Sequence, residues 1–468
     1  MSACGENLKD IARTLFAQAL ADCSIERAFE RKLRVVTDAE GVWLFVEGGE
    51  AIALDRVRRV RVVSVGKAAA AMLNALLSRL PLAPPCELQG VLIAAQRPAN
   101  LPATIQYYCG GHPVPNEASF AGARAALAMM HALGECTAHS NSSRDVSTQN
   151  FTPDETLCIF LLSGGASAMM ELPLDAAISL DDTVAFHRAL VHSGASIVEM
   201  NCVRKHFSAV KGGRLALAAG RAQTLSLLVS DVPPAHLDAL GSGPTVGDPT
   251  SVAECREIVA KYGLMKQFPA SGRRFFASPD LPETPKPEEL NVRCCKLLDS
   301  DEMAEAARRY AESLGFHAVI DNACDDWSYD AAADYLLKRL RELRREHSRV
   351  CLISAGEVTV RVEAAGASVR GGRNQHFALY MATRLRTEDG PIAVLSAGSD
   401  GVDGNSDAAG AIVDEHTLDG DSLRESALRA LAAFDSSTWL SSINATLVTG
   451  PTGHNLRDLR ILLADTAH

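Results

Sequence analysis

The chain has 468 residues, 47% hydrophobic and 22% charged, enough for two or three domains with sizeable cores and far from the composition of a disordered protein. Its 46 Lys and Arg against 57 Asp and Glu leave a formal charge of -11, which excludes a protein that holds nucleic acid by general phosphate neutralisation; any anionic substrate must meet a local basic site. Twelve cysteines without a C-x-x-C pair suggest neither zinc spacing nor a disulfide framework, and no leader-like or membrane-spanning apolar run stands out, so a cytoplasmic protein with reduced thiols and no membrane partner is expected.

Leu8, Ile11, Leu15, Phe16 and Leu20 recur at a helical period and predict an amphipathic helix at the start of the chain. Beyond it, short apolar runs at 61–69, 158–168, 225–234, 350–358, 392–404 and 445–453 each end in a small or polar turn. Runs of Val, Ile and Leu without alternation are what strands buried on both faces of a parallel sheet look like. Helical stretches at 68–80, 117–133, 183–199, 301–314, 329–345, 374–386 and 422–434 supply the crossovers. The expected fold class is therefore α/β, with ligands outside the carboxyl ends of the strands, where all of these turns would lie together. Residues 136–153, polar and without periodicity, read as an exposed loop. The proline-rich stretch 268–290 reads as the approach to a boundary between a larger domain, 1–290, and a smaller one, 291–468.

The turns carry the residues suited to chemistry. LLSGGASAMM (161–170) joins a strand to a helix, where paired glycines let backbone N–H groups approach an anion and Ser163 and Ser167 add hydroxyls; tight strand–helix packing is the competing reading. VGKAA (65–69) puts Lys67 at the same predicted edge, able to neutralise a phosphoryl group or carboxylate, or else a solvated lysine of a first helical turn. Arg204, Ser208 and Lys211 fall near one helical face, as an anion site or a solvated charged strip, and His206 between charged neighbours reads as a surface residue. Arg373 after two glycines at a helix entrance suits a bidentate grip on phosphate or carboxylate. Asp400, Asp403 and Asp407 in a glycine-rich turn suit Mg²⁺, with Asx turns as the alternative. Asp231, directly after a buried strand, is a candidate base or metal ligand. No strand is followed by the G-x-G-x-x-G of dinucleotide sites, no G-K-[ST] completes a Walker A loop, and SGGAS is not a G-x-S-x-G nucleophile elbow.

Taken in order, VGKAA, GGHPVPNEAS, LLSGGASA, NCVRKHFSAVKGGRLA, SDVPPAHLDALGSGPTVGDPT, SAGEVTV, GGRNQHFAL, SAGSDGVDGNSDAAGAIVD and TGPTGHNLRDL closely resemble the class II glycerate 2-kinases with a MOFRL C-terminal domain, over residues 8–462. The resemblance implies ATP-dependent phosphorylation of D-glycerate at its 2-hydroxyl, giving 2-phosphoglycerate and ADP, with Mg²⁺, by a monomer or homodimer. It implies a cleft between a larger Rossmann-like parallel-sheet N-terminal domain and a smaller α/β C-terminal domain. Lys67 and Arg373 then match the active-site cations and Asp231 a further catalytic group. Ser163, Gly164, Gly165, Ser167, Arg204, Lys211, Glu357 and Asn374 match nucleotide or substrate contacts, and Asp400, Asp403 and Asp407 the metal-binding loop. The chain departs from the family's pattern at Ala166, where a third glycine is usual, at His376, where a glutamate commonly follows GGRNQ, and at His454, Leu456 and Arg457 in the last motif. Two other readings stay open. The missing dinucleotide fingerprint counts against an NAD(P)H-dependent hydroxypyruvate reductase, and retention of Lys67, Arg373 and the acidic loop counts against a non-catalytic ligand-binding protein.

Overall fold

A computed structural model of the chain describes residues 7–82, 85–138, 155–362 and 370–465. It opens with α1 (Leu8–Asp22), α2 (Ile25–Lys32) and a small antiparallel meander, β1 (Leu33–Asp38), β2 (Gly41–Val46) and β3 (Ile52–Ala53). There follow β4 (Arg59–Val65), α3 (Ala69–Leu77), β5 (Glu87–Ile93), β6 (Ile105–Tyr108), α4 (Glu117–Ala138), β7 (Thr156–Ser163), α5 (Ala166–Met169), α6 (Leu180–Val191), α7 (Ile197–Phe207), α8 (Arg214–Ala218), β8 (Gln223–Val229), α9 (Val252–Lys261), α10 (Ala270–Ala277) and β9 (Val292–Leu298). The remainder comprises α11 (Ser300–Ser313), β10 (His317–Ile320), α12 (Tyr329–Leu343), β11 (Val350–Ala355), α13 (Arg373–Arg384), β12 (Ile392–Gly398), β13 (Gly410–Asp414), α14 (Asp421–Ala432), α15 (Ser436–Ser442), β14 (Thr446–Leu447) and β15 (Asp458–Ala464). Two compact units result, one of residues Ala28–Leu297 and one that joins α1 to the elements from Leu298 onward.

The first unit is built on a sheet of order β6-β5-β4-β7-β8-β9, with parallel pairing from β6 through to β8. Every residue of β7 is buried, which is why TLCIFLLS reads as an unbroken apolar run. The predicted helix 183–199 is in fact two: the chain leaves α6 through Gly194 at φ +77, and Ser196 with Glu199 forms a capping box that starts α7. These helices bury an aromatic cluster in which Phe186 stacks on Phe207 with ring centroids 4.0 Å apart, Phe268 and Phe276 closing around them.

The second unit differs from the sequence expectation. Its sheet, β10-β11-β15-β12-β13-β14, is parallel only between β10 and β11; the other pairs are antiparallel. The apolar runs therefore divide between two sheets instead of ending at one common edge, and the run 445–453 keeps only the two-residue β14. Burial on both faces, not strand direction, erases the alternation, so a covered antiparallel strand and a parallel one look alike in sequence. β11 and β12 both run against β15, with Ala355 opposite Leu459 and Gly398 opposite Asp458, so their carboxyl ends flank the start of β15. The predicted first helix packs its apolar stripe, Ile11, Leu15 and Phe16, against α11 and β12. Of the expected loop 136–153, the first residues end α4 and 139–153 lie outside the described residues. Among the described residues no helix is long and apolar enough to cross a membrane.

The aromatic cluster gives a direct check on packing. Phe186→Ala removes the ring that touches all three partners and is expected to cost about 3–5 kcal/mol in urea unfolding. A loss under about 1 kcal/mol would mean that the four rings are not close-packed in solution.

Candidate functional site

In the unit 28–297, β4 and β7 lie side by side, but the chain goes from β4 to β5 and from β7 to β8, so the turns at their carboxyl ends diverge and leave a crevice. Both predicted glycine turns occupy it. Gly66 adopts φ +121, and a Cβ there would overlap Ser163 Oγ. The Lys67 N–H donates to Gly164 O (2.9 Å) and the Ala68 N–H to Ser163 Oγ (3.1 Å), so the buried Ser163 hydroxyl is occupied in tying the two turns together. A Cβ at Gly164 would overlap the Asp231 carboxylate; one at Gly165, which has φ +85, would sit 3.1 Å from His112 Cδ2 and 3.2 Å from Lys67 Cγ. The glycine pair is thus a floor on which Lys67, Asp231 and His112 converge. The left-handed conformation falls on Gly165, while Ala166 opens α5 as a helical residue, so alanine in place of a third glycine is unstrained.

Lys67 is exposed, and among the described residues its ammonium has no ion-pair partner. Burial, and then the Lys67 charge, hold the His112 pKa below its ordinary value. Beside the floor lies a cavity of about 350 Å³ lined by His112, Ser167, His187, Asn201, Arg204 and Asp231 among others. One polar chain shapes its wall: Ser167 Oγ lies 2.8 Å from Ser242 Oγ, which donates to Asn201 Oδ1 (3.0 Å), and Arg204 Nη1 approaches the same oxygen at 3.5 Å. The Arg204 Nε is buried without a hydrogen-bond partner, which leaves a guanidinium donor for an anion.

Lys211 does not join this wall. It is fully buried and paired with Glu171, whose Oε2 also lies 2.8 Å from His187 Nε2. Burial alone would raise the Glu171 carboxyl, but the Lys211 charge and the His187 contact outweigh it and hold it at about 2. His206, expected at the surface, is also buried, its Nδ1 2.9 Å from Cys202 O; it groups with Cys202 and Cys255, ligand atoms within 4.8 Å of one another, a cluster that no C-x-x-C spacing announces. The strip is buried instead of solvated: Lys205 on α7 reaches Asp238 and Asp248, and the chain leaves the helix after Phe207 and carries Lys211 to Glu171.

In the second unit the start of β15 and the ends of β11 and β12 frame a cavity of about 620 Å³. Arg373, the first residue of α13, reaches Asp458 through Nε (2.5 Å) and Nη2 (3.2 Å) and Glu357 through Nη2 (2.7 Å). Burial opposes the Arg373 charge, yet these carboxylates, Asp458 foremost, hold its pKa above the usual value. Asp403 accepts the N–H groups of Asn374 (3.0 Å) and Gln375 (2.8 Å) and so closes the start of α13; burial nevertheless pushes its carboxyl up to about 6. Asn374 is buried, its amide spent on Asp403 and its oxygen on Ser396 Oγ (2.7 Å). Asp400 lines the cavity and takes one N–H, from Val402 (3.1 Å), whereas Asp407 is 98% exposed, pairs with Arg370, and is not part of the wall. Of the acidic loop, Asp400 therefore has the oxygen best placed to hold a cation, the donor set that Mg²⁺ takes alongside water. His376 forms an aromatic wall with Phe434, stacked at 5.2 Å; burial drives its pKa down to about 4, so the ring is neutral. The half-buried His454, similarly lowered by burial, faces Thr452 O at 3.4 Å.

Several residues of these sites escape the motif reading. Asn201 stands one helical turn before Arg204, Glu171 directly follows the glycine turn, and Asp458 ends the last motif, so spacing could have found them. Ser242 and His187 carry no such signal.

Residues 11–277 match a family described as a domain of unknown function, DUF4147, and residues 350–458 match the MOFRL family. A glycerate 2-kinase of Pyrococcus horikoshii is 31% identical, the alignment covering 98% of this chain and 97% of that protein. A protein of Agrobacterium vitis named a putative hydroxypyruvate reductase is 34% identical over 86% of this chain and 87% of its own. The crystal structure of a glycerate kinase from Thermotoga maritima superposes with a TM-score of 0.77 at 30% identity, covering 98% of this chain and 99% of that one.

The two lysines separate experimentally. Lys211→Met strands a buried carboxylate and is expected to cost about 3–5 kcal/mol in urea unfolding at pH 7. Lys67→Met, at an exposed and unpaired site, should stay within about 0.5 kcal/mol. Equal effects would contradict the buried pairing.

Proposed function

The chain belongs to the glycerate kinase family in which a DUF4147 domain precedes a MOFRL domain, and on that premise we propose that it transfers the γ-phosphoryl group of ATP to the 2-hydroxyl of D-glycerate, giving 2-phosphoglycerate and ADP. The observation that carries this reading is the switch-point floor, where Gly164 and Gly165 expose backbone beneath an unpaired Lys67 ammonium and next to a small polar cavity. Phosphoryl transfer needs positioning and charge neutralisation more than covalent chemistry from the protein. In the reaction the glycerate oxygen bonds to the γ-phosphorus, the bridging bond to the β-phosphate breaks to release ADP, and the hydroxyl proton passes to the Asp231 carboxylate at the floor, the candidate base.

In this reading Lys67 neutralises charge developing on the transferring group, and Arg204 with its free Nε takes the glycerate carboxylate, with Asn201 and Ser167 as neutral neighbours. Asp231 stands at the glycine floor to orient the reacting groups. Arg373, fixed by Asp458 and Glu357, presents a second cation for phosphate oxygens. Asp400 is the residue that would hold Mg²⁺, which when bound would neutralise nucleotide phosphate charge; Asp403 serves the site by closing the start of α13. The turn after β4 reads V-G-K-A-A with no dinucleotide fingerprint, which favours the kinase over nicotinamide-linked reduction.

Lys67→Ala is expected to lower kcat by about a hundredfold or more while leaving stability unchanged, since one preorganised donor is worth about 2.7–4 kcal/mol in the transition state. Arg373→Ala should lower kcat similarly but also destabilise the fold, because the buried Asp458 loses its partner. The reaction itself is tested with ATP, Mg²⁺ and D-glycerate coupled to enolase without phosphoglycerate mutase. Phosphoenolpyruvate is the expected product. A phosphorylated product that enolase cannot use would overturn the regiochemistry, and NAD(P)H oxidation with hydroxypyruvate but no ATP turnover would overturn the reaction class.

A further inference from the structure

His187 belongs to none of the motifs, yet its ring is one wall of the 350 Å³ cavity and its two nitrogens are in different situations. Nε2 lies 2.8 Å from Glu171 Oε2. Glu171 is fully buried, ionised and already paired with Lys211, so it can only accept, and Nε2 must carry the hydrogen. The other nitrogen, Nδ1, is then left as a lone pair. It makes no hydrogen bond and is not among the buried polar atoms without a partner, so it is an accessible acceptor on a residue that lines the cavity. Burial and the nearby Lys211 and Arg204 charges disfavour protonation, while Glu171 opposes them; the net effect keeps the ring neutral at physiological pH.

Nδ1 is a neutral acceptor beside Arg204, whereas the charged acceptor of the cavity, Asp231, stands at the glycine floor. Arg204 offers only N–H donors, and Asn201 Oδ1 is taken by Ser242 and Arg204, so a ligand that presents a hydroxyl hydrogen to His187 and an anion to Arg204 matches this part of the wall. The reacting hydroxyl has a different address. Lys67, whose charge acts on His112, stands over Gly165 at the floor, while His187 is set among Glu171, Lys211 and Arg204. Resting on the glycerate reading above, we propose that His187 is a specificity-determining residue whose Nδ1 accepts a hydrogen bond from the non-reacting 3-hydroxyl of D-glycerate, so that the site selects 2-hydroxy acids with a hydroxyl on the third carbon. A site built to receive a hydroxyl hydrogen rejects the analogue that lacks it, because its acceptor is then desolvated without a partner.

The test compares two ligands that differ only in that hydroxyl. Binding of D-glycerate and of D-lactate to the full-length wild-type protein, His187→Leu and His187→Gln is measured by calorimetry without nucleotide, alongside melting temperature. Wild type is expected to prefer D-glycerate by about tenfold or more, and His187→Leu to lose most of that preference by weakening D-glycerate while leaving D-lactate unchanged or tighter. His187→Gln keeps an amide N–H for Glu171 and an oxygen for the hydroxyl, and is expected to retain part of the preference. A structural role would weaken both ligands together. Parallel weakening in both variants, or an unchanged preference in His187→Leu, would overturn the proposal. If wild type binds and phosphorylates D-glycerate while His187→Leu keeps the preference, only the specificity role fails; if wild type neither binds nor phosphorylates it, the functional reading fails first.

Discussion

The contact between the turns that follow β4 and β7 is the constraint on which the candidate site depends. Gly66 must lie against Ser163, and Gly164 against Asp231, closer than any side chain would allow, and the Lys67 N–H must reach Gly164 O. These contacts follow from strand order: β4 and β7 are neighbours in the sheet although separated by β5 and β6 in the chain, so their turns part company exactly once, here. Everything chemical in this unit hangs on that junction. Lys67 leaves it on one side, α5 presents Ser167 on the other, and the helices between β7 and β8 fold back so that α7 brings Asn201 and Arg204 to the same place.

Charge is distributed by the same logic in both units: some ionisable groups are spent on holding the frame so that others remain free. Lys211 neutralises Glu171 beneath the cavity, and Glu171 in turn orients His187. Asp403 satisfies the first N–H groups of α13, which fixes Arg373, and Asp458 and Glu357 lock its guanidinium plane. Breaking any of these pairs strands a buried charge, so their loss shows first in stability. Lys67 and the Arg204 Nε have no such structural duty.

Much of this was legible in the sequence, for reasons that differ by residue. β4, β7, β8, β11 and β12 appear as apolar runs because both faces are covered, and the glycine turns after β4 and β7 mark the close approaches. β15 stayed hidden: DLRILLA carries Arg460 as its third residue, a buried arginine whose Nη2 donates to Gly356 O, and a charge there reads as a break in the strand. β10 is too short for any period to register, and of the run 445–453 only the two residues of β14 pair. In the site, Lys67, Arg373 and the serine-glycine turn are visible as residue types at strand ends. The inward turn of Lys211 and the burial of His206 are not, because the first is decided by how the chain returns after Phe207 and the second by the packing of α7 against α9. His187 is invisible for the same reason, since its role exists only through Glu171.

In the proposed reaction the small substrate binds at the β4/β7 junction. The most direct measurement is a crystal structure of the protein with D-glycerate. The carboxylate is expected against Arg204, the 3-hydroxyl toward His187 Nδ1, and the 2-hydroxyl turned to the floor made by Gly164 and Gly165 beneath Lys67. D-Glycerate bound in the second unit, or bound at the junction with its 2-hydroxyl turned away from Lys67, would contradict it.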